Sequence, residues 1–597
     1  MNNATGLYLL RNAQIAESEK YFRKAIERLT WLTPNPYDGE PYVNLGFSLL
    51  YQGKEDEAFD AFFKATWNAA QQGTAFHQLA CIACKRKSYP EATDFVTRAL
   101  VANSRNIKSR SLRASLMVQM GALDGAHAYL LENLEVDPFD YCSRYLLSSV
   151  FTEGKDEMLR LMQNKLSSFL EGSLEFAHAG LYDTAFDLLS LCTSQSPMRS
   201  YYLAYYANSL GNEQVRDEYL VQGSKASPLY CFPITLDDLL VLEFVLEHTP
   251  KDGYAHYYLG NLLFDKKQFG KARQCWETSS QLNPSFPTVW RNLALAYFNK
   301  DNEPEKALQA LEKAFSLDVT DARVFYELDQ LHKILGYSPQ QRKMLFDQFP
   351  DLWPLRDDLY VEYVSLLNLL GDSSQSYALI MEHKFHPWEG GEGKVIAHYV
   401  LALKQMAIAL MADEPGQAKL LLLQALQVPD TLGEGKLEGT KDNDIHYLLG
   451  LCAQALGNRA EAQVEFELAT VKNGDPAGMM YYNDQPADMI LYEGLALGKL
   501  GRIDASLARF HKLVDYGEKH YFDKITIDYF AVSLPELQLF DVDLTPRNRI
   551  HCEYLIALGN IGLGDCNLVE KTLAEILRKD CNHCGAAFHA RIYRELM

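Results

Sequence analysis

The chain repeats one short residue pattern at intervals of 34 positions. Near the N-terminus the pairs Leu45-Gly46, Leu79-Ala80 and Arg113-Ala114 are spaced 34 residues apart. An alanine follows each pair at one fixed offset, and a bulky apolar residue follows that alanine four positions later: Ala58 and Phe62, Ala92 and Val96, Ala126 and Leu130. A unit of this length cannot bury a core alone, so the period predicts a stacked array of similar units.

This period and this pattern are typical of tetratricopeptide (TPR) repeats, which are pairs of antiparallel helices called A and B. Gly or Ala within helix A lets helix B approach closely, and the bulky residues fill the space between them. The pattern returns around Gly260, Ala294, Gly450 and Gly494. We therefore predict an all-α fold, a right-handed TPR superhelix of roughly eleven to twelve helix hairpins.

Pattern strength divides the chain into five predicted segments. The array begins with an N-terminal half-unit that contains Phe22 and Ala25. Strand-like alternation is nearly absent, with short strands considered only near Ile525–Phe530. The segments are a TPR array (1–140), degenerate helical repeats (141–250), a central TPR array (251–380), an irregular helical segment rich in loops (381–445) and further TPR units (446–597).

Charge and cysteine content restrict the compartment and the partners. The formal net charge is −21, which argues against nucleic acid and anionic membranes, because both require Lys and Arg. The first twenty residues carry charges and no apolar core of signal-peptide length. The 11 cysteines are scattered and odd in number, which favours reduced thiols in a cytoplasmic protein.

Four long interruptions of the repeat predict where a ligand binds, because loops carry binding groups more often than scaffold helices do. They span 30–41, 386–393, 430–444 and 473–486 and are rich in Pro, Gly and aromatic residues. Aromatic rings beside carboxylates suit a carbohydrate, whereas the competing interpretation is that the Trp rings fill gaps between helices. The candidate ligand-binding residues are Trp31, Tyr37, His386, Trp388, Glu389, Glu392, Tyr482 and Asp484.

These interruptions also resemble those of a known group of proteins. Five stretches are similar to the C-terminal TPR half of large, mainly bacterial proteins with an N-terminal, β-rich, mutarotase-like domain of unknown function: 30–46, 64–70, 386–395, 481–497 and 540–559. The resemblance implies a carbohydrate-metabolism setting and a partner that is either another protein or such a β-rich domain. It carries over no catalytic residue. Since this sequence lacks the β-rich half, any site shared between the halves is incomplete here.

The concave groove of a TPR array, lined by the A helices, is the usual ligand site. Its predicted lining residues are Tyr257, Asn261, Arg291, Asn292 and Arg323. Asn261, Asn292 and Arg323 stand where chaperone-binding TPR proteins hold a peptide carboxylate. Tyr257 and Glu327 stand where that clamp has basic residues, and a carboxylate grip needs those cations. The clamp interpretation is therefore disfavoured.

Two cysteine and histidine groups were weighed as metal sites. His77, Cys81 and Cys84 share one helix face, and Cys581 and Cys584 form a lone C-x-x-C near His589. A structural zinc site needs four ligands, and cysteine in TPR helices is usually a small core residue. We predict no metal and no cofactor.

Motifs for catalysis are equally sparse in the sequence. It contains no phosphate-binding loop, nucleophile elbow or dinucleotide fingerprint. Glu389 and Glu392 could act as a carboxylate pair, but one flexible loop holds such a pair poorly. We therefore assign no catalytic residue. Two functions stay open: a protein-interaction scaffold, and a carbohydrate-binding or glycan-processing protein that uses the aromatic and carboxylate loops.

Overall fold

The computed structural model describes residues 1–388, 390–436, 440–479, 486–526 and 539–596. Across these ranges the regular secondary structure is helical and contains no strand. Successive helices pack as hairpins, and alternate helices contact each other in the manner of stacked repeats. The prediction of an all-α TPR superhelix is confirmed. Residues 527–530 of the considered strand lie outside the described residues.

The chain divides into two compact units, Met1–Val289 and Trp290–Met597. Unit 1 contains seven successive hairpins, then the single helix α15, then the pair α16 and α17. Its helices are α1 Asn2–Arg11, α2 Ile15–Leu29, α3 Glu40–Leu50, α4 Glu55–Ala65, α5 Gln72–Lys85, α6 Tyr89–Ala102, α7 Ile107–Gln119, α8 Leu123–Val136, α9 Tyr141–Val150, α10 Lys155–Met162, α11 Leu166–His178, α12 Tyr182–Ser190, α13 Pro197–Ser209, α14 Glu213–Lys225, α15 Leu236–His248, α16 Gly253–Asp265 and α17 Phe269–Leu282.

Unit 2 continues the alternation of A and B helices. Its first helix spans the boundary, which lies between Val289 and Trp290. The helices are α18 Pro287–Asn299, α19 Pro304–Leu317, α20 Ala322–Ile334, α21 Pro339–Gln348, α22 Asp357–Leu370, α23 Ser373–Glu382, α24 Lys394–Leu410, α25 Pro415–Ala425, α26 Asn443–Ala455, α27 Arg459–Ala469, α28 Met489–Lys499, α29 Ile503–His520, α30 Thr545–Leu563, α31 Cys566–Lys579 and α32 Cys584–Leu596.

A glycine in helix A facing an aromatic ring in helix B recurs in both units. A Cβ added to Gly260 would lie 2.4 Å from the Trp276 ring, and one added to Gly450 would lie 2.4 Å from Phe466. The aromatic residue follows the glycine by sixteen positions in each case. Only a residue without a Cβ lets the rings seat this deeply, which explains the small residue in the repeat pattern.

The first hairpin is complete, so the prediction of an N-terminal half-unit was wrong. Helix α1 packs on α2, and a Cβ added to Gly6 would lie 2.5 Å from the Phe22 ring. This is the same glycine and aromatic pairing at the same spacing.

Tyrosines replace the usual apolar residues in the stretch where the pattern is weak. Tyr201 and Tyr202 are buried in α13, and their hydroxyls donate to the carboxylates of Asp252 and Asp238 at 2.6 and 2.8 Å. Buried hydroxyls need such partners. The core of this stretch is therefore partly polar, which is why its repeat pattern is hard to recognise.

Candidate interaction surfaces

The first interruption forms an ordered loop held by the end of helix α4. The Lys64 ammonium donates to the Asn35 side-chain oxygen at 2.7 Å and lies 3.8 Å from the centre of the Trp67 ring. The Asn68 side chain donates to the carbonyl of Tyr37. These contacts fix the loop without covering its apolar side chains.

Large apolar side chains of this segment, and Trp67 just after helix α4, face solvent. Trp31 is 72% exposed, Leu32 99%, Tyr37 97% and Trp67 62%. We call these four residues together the aromatic loop. Trp31 therefore does not fill a gap between helices, which was the competing interpretation. Exposed Trp and Tyr on a fixed backbone are the residues most enriched at binding hot spots.

The second and third interruptions contact each other within unit 2. The amide of Phe385 donates to the carbonyl of Thr431 at 2.9 Å, and the amide of Gly393 donates to the Glu434 carboxylate at 2.7 Å. Burial raises the pKa of Glu434. The described parts of these two loops thus form one surface.

The predicted ligand residues of the second loop have mixed environments. His386 is exposed, and its amide donates to Asp357 at 2.8 Å. Trp388 is half-buried and its ring packs against Gly391, where an added Cβ would lie 2.1 Å from the ring. Glu392 is exposed. One face of the Trp388 ring is therefore already covered by the loop itself.

Three predicted ligand residues lie outside the described residues. They are Glu389, Tyr482 and Asp484. The carbohydrate site built from them stays a prediction.

The predicted groove residues of unit 1 take part in hairpin packing. Tyr257 is buried, and its ring meets the edge of Phe286 with centroids 4.9 Å apart. The Asn261 side-chain oxygen accepts the indole N–H of Trp276 at 3.1 Å. Asn261 thus holds the ring that seats on Gly260.

The predicted groove arginines of unit 2 converge on one buried carboxylate. Arg291 donates twice to Glu327, at 2.6 and 2.7 Å, and Arg323 donates to the same group at 3.1 Å. Asn292 lies in the same helix as Arg291 and is half-buried. A ligand carboxylate would have to compete with Glu327 for both guanidinium groups, which agrees with disfavouring the clamp.

The concave face of unit 2 is filled by the chain's own helix α32. This helix contacts five A helices: α22 through Ser365 and the carbonyls of Asn368 and Leu369, α24 through Lys404, α26 through Tyr447, α28 through Tyr492, and α30 through Tyr554. It therefore lies where a TPR array usually holds a ligand.

The centre of α32 is a buried histidine bracketed by two tyrosines. His589 has no exposed surface; its Nε2 lies 3.2 Å from the Tyr492 hydroxyl, and its Nδ1 lies 2.9 Å from the Tyr554 hydroxyl. Burial lowers the pKa of His589 to about 3, so the imidazole is neutral at pH 7. A neutral ring can accept from one hydroxyl and donate to the other.

A buried ion-pair network anchors the segment that leads into α32. Arg342 donates to Asp329 at 2.6 and 2.8 Å, to Glu362 at 2.8 Å, and to the side-chain oxygen of Asn582 at 2.8 Å. Burial alone would raise the pKa of Glu362, but the charges of Lys333 and Arg342 lower it overall. The network ties Asn582 to helices α20, α21 and α22.

Sequence reasoning missed the role of α32. In the sequence this segment stands out only by a lone C-x-x-C near His589. The available signal was amphipathic spacing, since the buried residues of α32 recur on one face: Ala586, Phe588, His589, Ile592, Tyr593 and Leu596.

The concave side of unit 1 is bridged by partly exposed polar contacts. His178 in α11 pairs with Asp237 in α15 at 2.8 Å, and the Tyr51 hydroxyl lies 3.5 Å from the same carboxylate. Lys108 in α7 pairs with Glu175 in α11. Helix α11 also packs against α5 and α7. Contacts within the chain thus occupy part of this face as well.

The cysteine and histidine groups serve packing in the described structure. His77 contacts the Ser109 hydroxyl through Nδ1 at 3.1 Å and the Cys81 sulfur through Nε2 at 3.6 Å. Burial lowers the pKa of His77 to about 4 and raises that of Cys84 to about 12. All eleven cysteines are free thiols. Among the described residues, no cluster of three potential ligands could hold a metal ion.

A search for membrane-spanning helices over the described residues found none of sufficient length and apolar character.

Comparison with known proteins supports a TPR repeat protein. A profile for the TPR repeat matches residues 260–301, which include Gly260 and Trp276. The peroxisomal targeting signal receptor of Kluyveromyces lactis is 34% identical over 70 residues. That alignment covers 12% of this chain and 12% of the receptor, so the likeness is confined to a short stretch of repeats.

The chain is also similar, at low sequence identity, to several solved structures. Yeast Tom70 is 14% identical, with 72% of this chain and 91% of that chain covered and a TM-score of 0.23. YrrB, described as a TPR protein with an unusual peptide-binding site, is 15% identical, with 39% and 96% covered and a TM-score of 0.16. A structure of Naa15/Naa10 bound to HypK-THB is 13% identical, with 100% and 96% covered and a TM-score of 0.21.

Proposed function

We propose that the chain is a protein-interaction scaffold that binds a partner through the aromatic loop of unit 1. The observation that carries this proposal is the exposure of Trp31, Leu32, Tyr37 and Trp67 on a loop fixed by Lys64 and Asn68. A loop backbone that is fixed before binding loses less conformational entropy, and its aromatic side chains can bury a large apolar area.

The occupied concave faces also favour the aromatic loop as the binding surface. In unit 2 that face is filled by α32, and in unit 1 it is bridged by His178, Asp237 and Tyr51. A partner that leaves these contacts intact must bind elsewhere. The aromatic loop offers it a large apolar surface in unit 1.

Site-specific photo-crosslinking tests this proposal. Tyr37→p-benzoyl-Phe is expected to give a discrete adduct with one protein in cells that express the tagged chain, identified by mass spectrometry. Tyr230→p-benzoyl-Phe is the matched control, because Tyr230 is 91% exposed on another loop of the same unit. The proposal fails if position 37 gives no adduct, or the same adduct as position 230.

The second candidate is carbohydrate binding by the loops around Trp388 and Glu434. It is supported by the contact between these loops and by the exposed Glu392, four residues after the half-buried Trp388. The resemblance to mutarotase-associated proteins suggests a sugar or a β-rich sugar-related domain as partner. Calorimetry with a panel of mono- and disaccharides should show saturable binding that Trp388→Ala removes. Absence of binding by the unaltered chain rejects this candidate.

A further inference from the structure

Helix α32 has two sets of contacts. It packs on its sequence neighbour α31, as a repeat helix does, and it also contacts A helices from α22 to α30 along the concave side, as a ligand of a TPR groove does. We propose that this concave face is a binding groove for an amphipathic helix of a partner protein, and that α32 is its intramolecular occupant. The partner helix would carry the α32 pattern of an aromatic residue, a neutral imidazole and a guanidinium.

The first recognition element is the pair of tyrosine hydroxyls around the imidazole. Tyr492 and Tyr554 are buried, and their hydroxyls lie within 3.2 Å of the two ring nitrogens of His589. An apolar side chain at this position would leave both hydroxyls without these contacts, and unsatisfied buried polar groups are costly. The position therefore selects for an imidazole over an aliphatic residue.

The second element is the C-terminal end of helix α22. The Arg591 guanidinium donates to the carbonyls of Asn368 and Leu369, which belong to the last turn of that helix. The end of a helix carries partial negative charge and unpaired carbonyls, so it favours a cation. Arg591 itself lies at the rim, where solvent reaches it.

The third element combines a ring with a buried charge pair. The Lys404 ammonium lies 5.1 Å from the centre of the Phe588 ring and also pairs with Asp444. A cation beside a ring face favours an aromatic side chain at this position. At the far end of the helix, the Tyr447 hydroxyl donates to the Leu596 carbonyl at 2.8 Å.

Intramolecular attachment sets how strongly a partner helix must bind. Short tethers give effective concentrations on the order of 1 mM. A partner helix with the same contacts would thus half-occupy the groove only at about 1 mM. Each tenfold weakening of the α32 contacts should lower the required concentration about tenfold.

The experiment uses the full chain and a fluorescent peptide of residues 580–596. In the His589→Ala chain, the native peptide can restore the imidazole between Tyr492 and Tyr554. Its affinity, measured by fluorescence anisotropy, should exceed that for the unaltered chain about tenfold or more. A peptide with the same His589→Ala change should show no such gain. Arg594→Ala in the chain is the control, because Arg594 is exposed and should leave the affinity unchanged.

A reversible lock tests the same groove by linking α32 covalently to α22. The Ser365 hydroxyl lies 3.6 Å from the Cys584 sulfur, so Ser365→Cys places two thiols in reach of a disulfide. Oxidation should abolish peptide binding, and reduction of the same sample should restore it. Circular dichroism checks that each variant is folded.

Three results would overturn the proposal. They are equal peptide affinity for the His589→Ala and unaltered chains, undiminished binding by the oxidised Ser365→Cys chain, and a dimer by light scattering that oxidation prevents. The last result would assign the groove to α32 of a second copy. The Tyr37 crosslink should persist in the oxidised chain, so failure here is distinguishable from failure of the proposed scaffold function.

Discussion

The concave faces of the two units are built from the same repeat but are occupied differently. In unit 1, partly exposed side chains bridge the face, as in the His178 and Asp237 pair. In unit 2, a whole helix fills the face and buries His589 completely. The A and B packing fixes the scaffold, whereas the residues that project from the A helices decide what the concave side holds.

The largest expected effect comes from the buried ion-pair network of Arg342, which anchors the segment that leads into α32. Arg342→Met should lower the free energy of unfolding of unit 2 by about 3–5 kcal/mol, because Asp329 and Glu362 lose a buried counter-charge. Urea denaturation, monitored by hydrogen exchange of the amides in unit 2, measures this change in the free energy of unfolding. Arg578→Met, which breaks a solvent-exposed pair with Glu575, is the control and should change nothing measurable. A small effect of Arg342→Met would mean that the network does not hold the segment.

The shared scaffold should respond equally in both units. Gly260→Ala and Gly450→Ala each place a Cβ 2.4 Å from a ring atom, so each should cost about 1–3 kcal/mol of stability through overpacking. Gly270→Ala is the matched control, since an added Cβ there meets no atom within 4 Å. It should be neutral or slightly stabilising in thermal melts. A marked difference between the two unit variants would contradict a common packing rule.

The pH response of the two faces should have opposite signs. Since burial lowers the pKa of His589 from 6.5 to about 3, its neutral form is favoured in the docked helix. This contribution to stability is complete above pH 6.5 and declines as the pH falls towards 3, by about 1.4 kcal/mol at pH 5.5. The polar and charged groups around it are Tyr492, Tyr554, Lys404, Asp444 and His583.

Urea titrations at pH 7.5 and 5.5 test this response. His589→Gln removes the titrating group and should remove about 1.4 kcal/mol of the difference between the two pH values. Identical pH dependence in both chains would exclude His589 as the source.

The smallest expected effect lies on the face of unit 1. For His178, burial alone would lower the pKa, but the Asp237 carboxylate raises it overall. The pair therefore contributes its full stabilisation of the folded state below pH 6.5. This contribution is lost as the pH rises through the raised pKa of His178. Asp237→Asn should cost about 0–1 kcal/mol, because the pair is partly exposed. A loss as large as that from Arg342→Met would erase the distinction between the two faces.

Local sequence patterns were sufficient to predict the repeats but not the contacts between residues far apart in the chain. The pairing of Gly260 with Trp276 follows from a 34-residue pattern and sterics, so the sequence reveals it. The contact of His589 with Tyr492 depends on how curvature accumulates over several hairpins, which no local spacing encodes. Gly6 and Phe22 have the same sixteen-residue spacing, so the first hairpin also follows from the repeat pattern.

The predicted binding loops were recognised only in part. Trp31 and Tyr37 are exposed as a binding role requires, while Trp388 packs partly on Gly391. Composition alone cannot separate these cases, because exposure depends on which neighbouring side chains hold the loop. For the first loop those neighbours are Lys64 and Asn68. Both lie at or just after the end of helix α4, far from the loop in sequence.

Hydrogen exchange of residues 584–596 in the unaltered full chain tests the docking of α32 most directly. A 13-residue helix without tertiary contacts is only marginally stable in water, so an undocked α32 would exchange rapidly. Docking against α22 to α30 predicts slow exchange at His589 and Ile592, comparable to that of the buried face of α28. Exchange of these amides as fast as in the free peptide 580–596 would contradict an occupied groove.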